Sequence, residues 1–165
     1  MNWKPIEHYD SELLENYQID VPTHFYRSFS ILFGSIRRKG DAIDFIWSLN
    51  ELMDLEKGGG KIKKETILNM RGESWDISQL SFYDKHHVIP SSRDDRPAIC
   101  KLDQVVHLPE KFHAAWHGVF SNLHGKETII FLEKIFYYLK REDQFDYSLI
   151  NKFAEKTRGG KLSRA

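Results

Sequence analysis

Apolar residues recur along most of this chain at spacings that name its elements. Phe25, Phe29, Leu32, Phe33 and Ile36 fall three or four apart, so a segment opened by Pro22-Thr23 reads as a helix with one apolar stripe. Arg37-Arg38-Lys39-Gly40 ends it, with cations at the negative end of the helix dipole and a glycine just beyond. A second helix is expected from an Asp41 cap, with Ile43, Ile46, Trp47, Leu49, Met53 and Leu55 as its stripe and Gly58-Gly59-Gly60 as its stop. The short turn between them predicts an antiparallel helical hairpin over about residues 23–56.

Lys57-Gly58-Gly59-Gly60-Lys61-Ile62-Lys63-Lys64 reads as a basic, flexible connector: either a solvated loop or an arm that touches phosphates. Residues 65–79 fit a short helix or an irregular link. From Leu80 to Ile89 the residues are mostly apolar, aromatic or histidine and Pro90 closes the run, which predicts a strand. A polar loop, Ser91 to Pro97, separates it from a second strand over Ile99 to Leu108. Pro109 suits the first turn of a helix running to about Asn122, with Phe112, Trp116, Val119 and Phe120 facing the core. Thr128–Leu139 and Tyr147–Phe153 complete the helices, and the tail from Thr157 is expected to fray. The fold class is therefore α+β, mostly helical, with a two-strand hairpin plus helix at its centre. Regions 1–79, 80–123 and 124–165 are expected to pack as one domain.

Composition narrows the function. Hydrophobic residues make up 41% and aromatics 13%, enough for a packed core. Lys+Arg and Asp+Glu number 24 each, so the net charge is zero, which argues against a polybasic binder whose whole surface attracts nucleic acid. Any phosphate-binding site must be a local patch. The single cysteine, Cys100, excludes an intramolecular disulfide framework and a Cys-rich zinc ribbon, and it fits a cytoplasmic setting. No apolar run approaches the roughly 18–20 residues that span a bilayer, and Met1 to Glu7 lacks a signal-peptide core, so no membrane partner is expected.

Of eight histidines, all but His8 and His24 lie between His86 and His124. His113 and His117 are one helical turn apart, so both imidazoles can reach one ion. His86 and His87 are adjacent on a strand and must point to opposite faces, so one turns toward the helix as a third ligand and the other stays off the metal. Three neutral nitrogen donors with open positions suit a catalytic site better than a closed structural one. His-x-x-x-His alone also suggests a zinc protease, but that motif needs Glu where this chain has Ala114. His107 and His124 read as core histidines.

His86-His87-Val88-Ile89-Pro90, followed by Phe112-His113-Ala114-Ala115-Trp116-His117, resembles the HNH nucleases and their ββα-metal core. The resemblance covers about Phe82 to Asn122, about a quarter of the chain. It implies a divalent metal ion (zinc, magnesium, manganese or nickel) on His86, His113 and His117, with His87 as general base. It further implies a metal-dependent endonuclease acting on nucleic acid, with DNA as the expected substrate. Arg93, just past the strand, could pair with a phosphate through its planar guanidinium. The family's central Asn, nine residues before the first helical histidine, is Gln104 here, preceded by Asp103. Gln keeps the amide but adds a rotatable bond, which loosens its hold on the base and opens a second reading. In that reading the unit is a catalytically degenerate, metal-stabilised binding or regulatory module. A neutral nuclease of this size needs a basic groove, a homo-oligomer or a protein partner to gain affinity.

Overall fold

The computed structural model describes residues 24–71, 80–90, 104–139 and 144–157. Among them are six helices and a two-stranded antiparallel sheet, a mostly helical α+β fold. The order is α1 (Phe25–Phe33), α2 (Lys39–Glu56), α3 (Lys64–Arg71), β1 (Tyr83–His87), β2 (Val105–Pro109), α4 (Glu110–Phe120), α5 (Lys126–Leu139) and α6 (Tyr147–Thr157).

The apolar stripes predict these helices and their buried faces closely, with three departures. The first helix ends at Phe33 and not at Arg37–Gly40, and the second is capped by Arg38 and not by Asp41, so Lys39 and Gly40 belong to its first turn. Leu55 is 81% exposed. It lies two residues past buried Met53, about 200° around the helix, and so falls on the opposite side. The expected pairing of the first two helices is also not the main packing. They meet near their junction, where Phe33 and Phe45 contact edge to face, but α1 lies chiefly along α4. Periodicity shows which face of a helix is apolar and not which partner covers it.

The crossing of α1 and α4 is close because both helices are small where they touch. A Cβ added at Gly118 would fall 1.8 Å from Ser28 Oγ and 2.4 Å from Ser28 Cβ. Above and below this point Phe25, Phe29, Phe33, Phe112, Trp116 and Phe120 are all fully or almost fully buried. Each such side chain contributes on the order of 1.5–3 kcal/mol by leaving water. Gly118 follows His117 directly, so this contact also sets the position of the histidine helix. Gly118→Ala is expected to lower stability by about 1–3 kcal/mol through overpacking. Denaturant unfolding measures this, and adding Ser28→Gly should restore part of the loss.

Helix α2 is held to the start of α5 by Asn50, whose Nδ2 donates to the Gly125 carbonyl (3.0 Å) and to Thr128 Oγ1 (3.1 Å). Helix α6 closes over α1 through Tyr147, whose hydroxyl donates to the Ile36 carbonyl at 2.6 Å.

In the sheet Tyr83 pairs with Pro109, Lys85 with His107 and His87 with Val105. Both strands are shorter than expected, and the part of the second upstream of Gln104 lies outside the described residues. The Lys57–Lys64 connector departs from its expected form as a loose loop. Gly59 N donates to Val105 O (2.7 Å), His107 N to Gly60 O (2.8 Å) and Ile62 N to His107 O (3.0 Å). The connector thus runs parallel to β2 and covers its second edge. Positive φ at Gly58 (99°) and Gly59 (96°) lets the chain turn there after α2.

Candidate metal centre

Strand alternation sends Asp84 and His86 toward α4 and Tyr83, Lys85 and His87 the other way. His86 is 2% exposed, with its ring centroid 5.2 Å from that of His113 and 5.1 Å from that of His117. On α4, Phe112 and Trp116 face the core while His113 and His117, one position further round, face the strand. One ligand-capable nitrogen from each of His86, His113 and His117 lies within 4.8 Å of the others. The three sequence-predicted ligands therefore do converge.

The contacts of the helix pair limit what their nitrogens offer. His117 Nδ1 lies 2.9 Å from the Ser121 carbonyl, which can only accept, so Nδ1 carries the proton. His113 Nδ1 makes a long contact of 3.5 Å with Asp84 Oδ2, also an acceptor when ionised. With the His113 proton likewise on Nδ1, toward Asp84, both Nε2 atoms are lone-pair donors; with it on Nε2, His113 donates to His117 Nε2. Those two atoms face each other at 3.0 Å. A proton on His113 Nε2 bridges the pair in the metal-free protein, and an ion that displaces it meets two converging lone pairs. Zn–N bonds of about 2.0–2.1 Å in a tetrahedral site put neighbouring nitrogens about 3.3 Å apart, close to the observed separation. This donor set fits a transition-metal ion.

Burial favours the neutral form of two of the three rings. The pKa of His86 is pushed down to about 2, first by burial and then by the neighbouring His117, His113 and His87. His113 is also lowered, by burial and by His117, with Asp84 opposing. Metal ligands must be deprotonated, so both shifts favour an ion over protons. Behind His86 lies a cavity of about 40 Å³, walled by His86, Trp116 and Asn50 among others. His86 Nδ1, Trp116 Nε1 and Asn50 Oδ1 are sealed from solvent without a protein hydrogen-bond partner. A cavity of this size and polarity suits one water held by these atoms.

His87 points away from the His86 side of the strand, yet it walls the same open cleft of about 380 Å³ as His113, His117, Lys85 and Asn122. Gln104 sits across the ladder from Val88, the residue after His87, and its carbonyl accepts from Val88 N at 3.1 Å. Arg93 and Asp103 lie outside the described residues. His107 and His124 are half-buried rather than core.

Two supporting groups escape the sequence reading. Asp84 could have been found, since it lies two residues before His86 and a strand repeats its faces every two residues. The Ser121 carbonyl could not. It reaches His117 because Ser121 has a positive φ of 51°, a conformation that sequence does not announce outside glycine. Carboxylates behind metal-binding histidines orient the ring and raise its basicity, so Asp84→Asn is expected to weaken metal binding about 10- to 100-fold. Titration calorimetry with Zn²⁺ measures this.

Compared with protein-family models, with curated proteins and with solved structures, the chain gives no match in any of the three. Among the described residues no helix is long and apolar enough to cross a membrane.

Proposed function

We propose that this protein is a metal-dependent endonuclease of HNH type that hydrolyses phosphodiester bonds, with DNA as its substrate. The observation that carries this reading is the convergence of one nitrogen each from His86, His113 and His117, with the two helical Nε2 atoms 3.0 Å apart, on a cleft shared with His87. His86, His113 and His117 would hold the ion. When bound, a divalent ion supplies positive charge for a nonbridging phosphate oxygen and for the departing oxygen. Nitrogen donors favour zinc or nickel over magnesium and manganese, which prefer oxygen ligands.

The chain's own residues carry the proton chemistry. His87 accepts a proton from water as its oxygen attacks phosphorus and the bond to the leaving oxygen breaks. The leaving alkoxide takes a proton from solvent. The Ser121 carbonyl orients the His117 ring, and Asp84 lies against the His113 ring. The single cysteine agrees with a cytoplasmic setting.

Supercoiled plasmid incubated with the protein and Mg²⁺, Mn²⁺, Ni²⁺ or Zn²⁺ tests the proposal. Nicking with at least one ion, abolished by EDTA, supports it. No nicking with any ion, from protein that binds metal, contradicts it and favours the second reading. That reading, a catalytically degenerate module in which the ion serves stability and binding, draws on Gln104 standing where the family has Asn.

A further inference from the structure

We infer that the sheet face turned away from α4 is a track for the sugar–phosphate backbone of a nucleic acid, leading to His87. The inference deepens the nuclease reading and rests on it for the nature of the strand.

Three chain segments meet on this face. His107 on β2 pairs with Lys85 on one side and with Lys61 of the glycine-rich connector on the other. Residues paired directly across a ladder project to the same side, so Lys61, His107 and Lys85 form one row. With strands about 4.8 Å apart the row is about 10 Å long, the rise of about three nucleotides at 3.4 Å each. Tyr83 belongs to the same face, with the Lys61 ammonium 3.9 Å above its ring. The backbone N–H of Lys64 donates to the Tyr83 hydroxyl at 3.2 Å, which ties the connector down a second time. Asp84, the acidic residue of β1, is on the other face, against His113.

Lys61 and Lys85 are exposed, and Lys57 and Lys63 extend the positive charge along the connector. In a chain of zero net charge this is the local patch that phosphate binding requires. The row also joins the candidate centre. His87 is two residues beyond Lys85 on the same strand face, and both wall the cleft that contains His113 and His117. A strand neutralised along the row arrives at the proposed base. The three hydrogen bonds to β2 keep the lysines at fixed spacing, a reason for a basic connector to be built into the sheet instead of left as a loop.

The test is fluorescence anisotropy with a labelled 20-base-pair DNA duplex, in EDTA so that nothing is cleaved, across a series of salt concentrations. Each neutralised phosphate contributes a slope of about −0.9 in log K against log salt. Lys61→Gln/Lys85→Gln is expected to weaken binding about tenfold or more and to flatten the slope by about two units, with an unchanged unfolding midpoint. Lys61→Arg/Lys85→Arg should retain the wild-type slope. A Gln/Gln variant that folds and keeps the wild-type affinity and slope overturns the track, even if the protein nicks plasmid. A flattened slope upholds it, even if no ion supports cleavage. Binding of anionic vesicles with none of DNA also overturns it.

Discussion

Replacing His87 with alanine is expected to lower phosphodiester cleavage by about 10²- to 10⁴-fold and to leave metal affinity unchanged. The size follows from the role. Without a base the attacking water must lose its proton to solvent, and that assistance is what the substitution removes. The separation of effects follows from the strand: alternation turns His87 away from the side on which His86 meets His113 and His117. Exogenous imidazole should restore part of the rate, because the space left on the open cleft can admit it. Metal affinity that falls together with activity would make His87 a ligand and refute its assignment as base.

The second large effect concerns the ion and stability. At a concentration one hundred times its Kd, a metal that binds only the folded chain stabilises it by about 2.7 kcal/mol. Melting with Zn²⁺ should show this rise in the wild type, and His113→Ala and His117→Ala should abolish it. In EDTA the expected effect is smaller. Removing either ring then costs only the contacts of a half-buried side chain, so the variants should differ less from the wild type without metal than with it. His86→Ala differs, because His86 is packed beside Trp116 and its loss leaves a cavity in addition to a missing ligand. A substitution that destabilised equally with and without metal would indicate packing and not ligation.

Much of this architecture is legible in the sequence because its helices are strongly amphipathic. Phe112, Trp116, Val119 and Phe120 name the buried face of α4, and the same period puts His113 and His117 on the neighbouring one. The adjacent pair on β1 is equally readable, since alternation requires that His86 and His87 part. Three other features have no such signature. Helix partnership is one: the crossing of α1 on α4 depends on Ser28 and Gly118, whose smallness matters only once they are opposite each other. The connector over Gly59–Ile62 is another, because it joins the sheet through backbone groups that every residue carries. The third is the Ser121 carbonyl, which lies outside any pattern of side chains. Asp84 lies between these cases. Its spacing from His86 gives it away, but only after the strand has been accepted and its inward face identified.

Under the proposed nuclease function, position 104 bears on rate and not on the ladder. Gln104 occupies the ladder position opposite Val88, held there by a backbone hydrogen bond that is indifferent to its side chain. A Gln104→Asn substitution would shorten the amide's reach while leaving that bond intact.

The most direct test of the metal centre is anomalous diffraction at the zinc edge from crystals grown with Zn²⁺. A peak about 2.0–2.1 Å from one nitrogen of each of His86, His113 and His117 is the predicted result. A fully occupied zinc elsewhere on the chain, with these three imidazoles unliganded, would contradict it.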